Sequence, residues 1–406
     1  MTKVAKLALN DKKYLVEIHT LKNMPTSHLN ADDTGELKTS IFGGSTRARV
    51  SSQCLKNAWR QSDTFKDYAY GLSENDKTYR TRKISELVKK SIVEKHGYEG
   101  EYKDVIEKLV TKYVTELIGS EKGVVCFIAK SDIDRVVDLV DKKITDLGSE
   151  EDVVRFLEKR EEIEGKKKDK LPSLYEKNEI KKFNDESETF VPAIINLFGR
   201  MSTSSVISNV QSSMSVAHAL STHAITQESD YFTAVDDVVA MDEETGSGHI
   251  NETSFNSACY YEYVNFSVNQ FCKNLEKNVA DDEYKEKALD GIIPALLEAV
   301  CLISPETKKT SFAAATYPEC VYVVIKKRNI PNSLANAFAE GVTGKKIVTD
   351  SVEHLKNEID LIDSAYPIEK AGEFWFAPKY KDISPDEAEI VSDFETLIKR
   401  IKEVIE

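Results

Sequence analysis

The sequence predicts an α+β protein, and three observations carry the prediction. Short apolar segments with strand-like alternation recur along the chain. Amphipathic helices fall between them. A long, highly charged helical stretch interrupts the series after the first helix. The elements follow in order. Tyr14–Thr20 alternates, with Tyr14, Val16 and Ile18 on one face, and reads as a strand. Ile41-Phe-Gly-Gly44 marks a turn. Residues 51–60 read as a helix capped by Ser51 or Ser52, with Cys54, Leu55, Ala58 and Trp59 inward. From about residue 65 to 190 the pattern is helical. Ile106, Leu109, Val110, Tyr113, Val114, Leu117 and Ile118 keep helical spacing, and Ser131 is placed to cap a helix that buries Ile133, Val136, Val137, Val140 and Ile144. Between residues 141 and 190, 27 of 50 positions are charged, so a solvated, partly mobile insertion is expected there.

Strand character returns at 216–225, where a helix is the competing reading, and more firmly at 260–268. Leu289, Ile292, Ile293, Leu296, Leu297 and Val300 mark a buried helix over 283–303, and Cys320–Ile325 a short apolar strand. Asn332 or Ser333 is expected to cap a helix through Phe338. Ser384-Pro385 is expected to begin a last helix, with Ile390, Phe394, Leu397, Ile401 and Val404 inward. The order strand, helix, insertion, strand, strand, helix, strand is that of a ferredoxin-like core. A polar connection over 226–258, with a Gly-Ser-Gly tip at 246–248, reads as a hairpin between the second and third strands.

Composition narrows the function classes. Hydrophobic residues at 41% and charged residues at 31% describe a globular chain. No apolar run reaches the length of a membrane span and Met1–Lys6 lacks a signal-peptide core, so a cytoplasmic protein without a membrane partner is expected. The six cysteines are scattered with no C-x-x-C pair, which speaks against a zinc ribbon or a dithiol centre; neither metal nor cofactor is expected. The net charge of −14 argues against a protein that coats nucleic acid with its whole surface. The charge is unevenly spread, however. Residues 1–60 hold 10 Lys and Arg against 5 Asp and Glu.

That basic segment holds the strongest candidate site. Arg47 and Arg49 share one face of an extended segment, and Gln53, Lys56 and Arg60 share one helix face. With Lys38, and with Ser51 at a helix start that presents N–H groups, they make a phosphate-binding surface; an ordinary solvated helix face is the plainer alternative. Asp32 and Asp33 suit a metal-dependent ribonuclease, or simply close an Asx turn after Asn30. His218 and His223 diverge on a helix and on a strand alike, so structural roles are expected for both. No G-x-S-x-G elbow or phosphate-binding glycine loop is present. Tyr231 and Phe232 sit at the base of the expected hairpin, either to stack on bases or to pack beneath it.

Several ordered motifs carry a resemblance. Leu29-Asn-Ala-Asp-Asp-Thr34, Phe42-Gly-Gly44, Arg47-Ala-Arg-Val-Ser-Ser-Gln53 and Lys56 resemble the N-terminus of the CasC, or Cas-seven-type, backbone subunits of type I-E CRISPR Cascade complexes. Gly199-Arg-Met201, Ala217-His-Ala-Leu-Ser-Thr-His223, Tyr231-Phe-Thr-Ala-Val-Asp-Asp237, Thr310-Ser-Phe-Ala-Ala314 and Ser333-Leu-Ala-Asn-Ala-Phe338 extend it in family order. The resemblance implies a hand. A ferredoxin-like (RRM-like) palm spans 1–64, 191–225 and 259–345, helical fingers 65–190 and a β-hairpin thumb 226–258. A C-terminal helical segment, 346–406, packs on the palm. It also implies a non-catalytic subunit that polymerises along guide RNA, presents the spacer to target DNA, and contacts further copies of itself and other Cascade subunits. Lys38, Arg47, Arg49, Ser51, Gln53, Lys56 and Arg60 fall where the family contacts RNA phosphates, with structural ion pairs an alternative for the two arginines. Met201, Phe232 and Thr233 fall where it packs on a displaced nucleotide. Lys166, Lys167 and Lys168 are candidates for target DNA, with a solvated loop the alternative. Ala31 departs from a relative's arginine. A generic single-strand-binding filament protein is the remaining alternative to the ribonuclease and to the scaffold.

Overall fold

The computed structural model of the chain describes residues 1–11, 13–118, 125–165, 173–186, 190–233, 250–305 and 307–406. Its elements begin α1 (Lys3–Leu9), β1 (Leu15–Ser27), β2 (Thr39–Phe42), β3 (Ser45–Val50), α2 (Ser52–Gln61), α3 (Asp63–Leu72), β4 (Thr78–Thr81), α4 (Ile84–His96) and α5 (Gly100–Ile118). Then come β5 (Cys126–Ala129), α6 (Lys130–Leu147), α7 (Glu150–Gly165), α8 (Lys177–Glu186), α9 (Ala193–Phe198), β6 (Met214–Val216), β7 (Ala219–Ser221), β8 (Glu228–Thr233) and β9 (Ile250–Ser267). The chain closes with α10 (Val268–Asn278), α11 (Asp282–Leu302), α12 (Lys309–Phe312), β10 (Cys320–Lys326), α13 (Ile347–Ala365), β11 (Lys370–Phe376), β12 (Glu389–Ile390) and α14 (Phe394–Ile405). Two units form. A helical unit holds Met1–Leu9, Ala69–Ser213 and Gln270–Leu289, and a sheet unit holds Asn10–Tyr68, Met214–Asn269 and Asp290–Glu406.

The sheet runs β12-β11-β10-β1-β9-β7-β3-β2, with β6 and β8 also paired to β9. Its pairings are antiparallel except the parallel β11–β12. The central strand β1 differs from the half-buried pattern its alternation predicts, because Leu15 through Lys22 are all buried. Leu21 joins Tyr261, Tyr263, Tyr322 and Trp375 against Val352, Leu355 and Ile359 of α13. From the opposite parity, Lys22 Nζ donates to the carbonyl of Val300 in α11 at 2.7 Å and pairs with Glu262 at 3.4 Å. A strand covered on both faces tolerates polar residues only where each has a partner. Glu17 accepts from the Tyr263 hydroxyl and, at 2.7 Å, from the Asn332 N–H, and it pairs with Lys326. His19 Nδ1 lies 2.8 Å from the Tyr261 hydroxyl, and burial, helped by Lys326, lowers its pKa to about 3. Register against β9 slips between Met24 and Ser27, where Pro25 removes a ladder donor.

In the helical unit, the seven apolar residues picked out on α5 are all buried, as are the five on α6. Ser131 does not cap α6; its hydroxyl donates to the Phe190 carbonyl. The helix starts two residues earlier than that cap would set it, with Ala129 at the N-cap position and the Asp132 carboxylate accepting the Ala129 N–H at 2.8 Å. The charged stretch after residue 141 also differs from expectation. Val153, Leu157, Leu174 and Ile180 are buried in the helical core, and Arg160 is buried against Glu116 at 2.9 Å. A few apolar residues at helical spacing are enough to dock a helix whose other positions are charged.

The 216–225 segment is two short strands, β6 and β7, rather than one. Residues 335–338 form a single 3₁₀ turn instead of a helix. At the C-terminus Asp393 caps α14, its carboxylate accepting the Thr396 N–H at 2.8 Å. Ile390 therefore lies before that helix, in β12, and is exposed. Helix α13 and strand β11 are additions to the predicted elements; β11 extends the sheet beyond β10, and α13 covers one of its faces.

Candidate nucleic-acid interface

The candidate site is assembled in the sheet unit around the start of α2. Ser51 is the N-cap, and its hydroxyl accepts the Cys54 N–H at 3.3 Å. Leu55 and Trp59 bury one stripe of the helix, which leaves Gln53 and Asn57 exposed and Lys56 and Arg60 half-buried. Lys56 follows the helix start by about one turn and Arg60 lies in the last turn, while the start itself carries the partial positive charge of its N–H groups. Arg60 donates to Asn57 Oδ1 at 2.8 Å, one turn along that face.

Asn30 stitches this helix start to its surroundings. Its side-chain oxygen accepts the Ser51 N–H at 2.9 Å, and its carbonyl accepts the Lys38 N–H at 2.9 Å. The Lys38 carbonyl in turn accepts the Arg49 N–H at 2.9 Å. Lys38, Arg49 and Ser51 are thus tied through one asparagine. Sequence reasoning did not assign Asn30 a role beyond opening a turn; its place just before the acidic pair was the available signal. The Lys38 charge reaches both sides of the patch, favouring the thiolate of Cys54 against its burial and adding to the forces that hold His218 neutral.

The two arginines have opposite fates. Arg49 is half-buried; its Nε donates to the Thr39 carbonyl at 3.0 Å, and one terminal nitrogen lies 3.1 Å from His218 Nδ1. Arg47 is 0% exposed. Its guanidinium donates to the carbonyls of Phe42, Ser221, Phe338 and Ala339, at 2.9 to 3.3 Å. Burial lowers its pKa. Arg47 is therefore a strut, closed to phosphate, that ties the β2–β3 hairpin to residues 338–341. Gly43 at φ +57° lets the hairpin turn sit on the Ala339 carbonyl, which a Cβ would overlap, and a Cβ at Gly341 would meet the Arg47 guanidinium at 2.7 Å.

Asp32 is occupied by its own turn. Its carboxylate accepts the Thr34 hydroxyl at 2.7 Å and the N–H groups of Thr34 and Glu36 at 2.9 and 3.1 Å. The Thr34 hydroxyl is the leading cause of its lowered pKa. Among the described residues, no three His, Cys, Asp or Glu side chains are grouped to hold a metal ion.

Met201 belongs to the helical unit and is 89% exposed. The preceding Arg200 anchors it. That guanidinium pairs with buried Asp132 and donates to the Ser208 carbonyl at 2.9 Å, while Arg200 bridges Val210 through the backbone. The expected hairpin corresponds to β8 against β9, with Tyr231 opposite Glu252 and Phe232 opposite Asn251. Tyr231 is 68% exposed. The backbone of Phe232 and Thr233 continues β8; their side chains, like Lys166, Lys167 and Lys168, lie outside what the structure describes.

A mixed α+β protein that ties cations to a helix start, as Asn30 ties Lys38 and Arg49 to that of α2, is equipped to hold a polyanion through its backbone. Residues 16–403 match the family of CT1975-like proteins, a Cas family, and the chain belongs to it. The Cas-seven-type relationship expected from the motifs is thereby borne out. Among solved structures, the chain is similar to one described as a CRISPR RNA-guided surveillance complex, pre-nicking. The TM-score is 0.75 at 24% identity, over 97% of this chain and 100% of that one. A second, described as a CRISPR RNA-guided surveillance complex, gives a TM-score of 0.54 at 20% identity, over 95% of this chain and 98% of that one. These likenesses are of fold. No curated protein matches the chain. No helix among the described residues is long and apolar enough to cross a membrane.

Proposed function

We propose that this chain is a guide-RNA-binding backbone subunit of a type I-E Cascade surveillance complex. Copies line the spacer of one guide RNA and hold it open for pairing with target DNA. The observation that carries the reading is the patch joined by Asn30, namely Lys38, Arg49 and Ser51 with Gln53 and Lys56 beside them, in a chain of this family. Such a site grips phosphates and leaves sequence to base pairing, as RNA-guided recognition requires.

The strand order β10-β1-β9-β7 supports a ferredoxin-like palm, since it places the fourth, first, third and second core strands side by side. In this reading the helices between β3 and β6 are the fingers and the β8–β9 hairpin is the thumb. Phe232 and Thr233 at the base of the thumb, and separately Met201 of the helical unit, are the candidates for packing on a displaced nucleotide. The subunit is cytoplasmic and non-catalytic, and it meets neighbouring copies through two different faces.

The test is purification with a co-expressed CRISPR transcript and sequencing of the retained RNA. A uniform spacer-length species is expected. Random cellular RNA would replace this reading with that of a generic single-strand binder.

A further inference from the structure

The break between β6 and β7 presents a residue that the guide-RNA reading leaves unused. Ala217 still donates its N–H to the Tyr263 carbonyl at 2.9 Å, and the ladder resumes with Ala219 opposite Val50 and Leu220 opposite Arg49. Between them His218 is exposed, and its Nδ1 lies 3.1 Å from Arg49. A guanidinium has only donors, so Nδ1 accepts, the imidazole is neutral, and its proton sits on Nε2. Arg49 is thereby held from two sides, by the Thr39 carbonyl and by His218.

We propose that Arg49 and His218 act together as one phosphate ligand for the RNA backbone, and that His218 takes up a proton when the phosphate arrives. The proposal rests on the guide-RNA reading above. Among the described residues, the charged groups that act on His218 in the free protein are Arg49 from β3 and Lys38 from the segment before β2. After partial burial, both cations lower its pKa below the ordinary value. A protonated ring would turn Nδ1 into a second donor aimed at the Arg49 donors, which is repulsive. A phosphate oxygen between them removes the conflict by accepting from both, and its charge stabilises the imidazolium. Binding therefore raises the pKa of His218. The gain in affinity is complete below the free-protein pKa and is lost as pH climbs past the RNA-bound pKa.

The experiment uses the full chain and a fluorescein-labelled polyuridylate oligomer, with affinity read by anisotropy from about pH 8 to about pH 6, across the range where histidine titrates. A rise of about threefold to tenfold toward the acidic end is expected, one proton being worth at most tenfold per pH unit. His218→Gln keeps an acceptor for Arg49 and a neutral donor. It should lose the rise, its affinity staying flat across the range whatever its value at the alkaline end. An undiminished rise in His218→Gln would overturn the proposal. If the unaltered chain holds the oligomer at no pH, the guide-RNA reading fails and takes this one with it.

Discussion

Arg47 and Arg49 are two residues apart on one strand, yet one is a buried strut and the other a half-exposed ligand candidate. The difference comes from what lies opposite. Residues 338–341 close over the first with carbonyls, and the break between β6 and β7 leaves the second open beside His218. Phosphate contacts act through charge and release of counterions, so each carries a measurable salt signature. Lys56→Glu is expected to weaken RNA binding across sequences and to flatten the plot of log affinity against log salt by about one unit. A salt series by anisotropy reads it, and an unchanged slope would remove Lys56 from the grip. The hairpin turn offers a matched pair. Gly43→Ala meets both the cost of a positive φ and the Ala339 carbonyl, whereas Gly44→Ala at φ +77° meets open space. Both should lower the melting temperature, Gly44→Ala through about 1–2 kcal/mol of backbone strain and Gly43→Ala through a clearly larger cost. Equal losses would mean that the approach to residue 339 is not tight.

At the scale of elements, each unit shows how a helix start fixes its surroundings. Helix α2 starts at a serine cap held by Asn30; in the helical unit α6 starts at Lys130, and Asp132 in its first turn accepts the Ala129 N–H and anchors Arg200. A different control acts within the helical unit, on the short turn at residues 74–76. Asp76 is buried, with the Tyr284 hydroxyl donating to it at 2.6 Å, and that hydroxyl also receives the Ala193 N–H at 3.0 Å. Burial outweighs the tyrosine bond and raises the Asp76 pKa to about 7. A carboxyl that is harder to ionise in the folded state contributes stability below its unfolded pKa and loses it as pH rises through about 7. Asp76→Asn is expected to raise the melting temperature at about pH 8 and to remove this part of the pH dependence, as followed by circular dichroism across that range. A melting temperature that stays below the unaltered chain's at alkaline pH would show that the ionised carboxylate is well accommodated. The helices of this unit were legible because their buried stripes keep strict spacing, as Ile106 through Ile118 do. Helix α13 keeps the same three- and four-residue spacing in Val352, Leu355 and Ile359, but it buries one apolar residue per turn where α5 buries adjacent pairs, so its signal is weaker.

For the molecule as a whole, an acidic chain that grips RNA needs its cations concentrated; of the ten basic residues in the first 60, Lys38, Arg49, Lys56 and Arg60 fall on the patch around α2, while Lys22 and Arg47 are buried on carbonyls. A scaffold should leave its RNA intact. Incubating the RNA-loaded protein with Mg²⁺ is expected to yield no fragments. Cleavage at regular intervals that vanishes in Asp33→Ala would require a ribonuclease instead. The sequence by itself determined the class of fold, the start of α2 and the family motifs, because hydrophobic spacing, capping and short motifs are local properties of the chain. Only the tertiary structure decided that Arg47 is buried, that Asn30 joins three parts of the patch, and that His218 meets Arg49. Those outcomes depend on which carbonyls and side chains distant segments bring to one place, and no local pattern in the chain encodes that meeting.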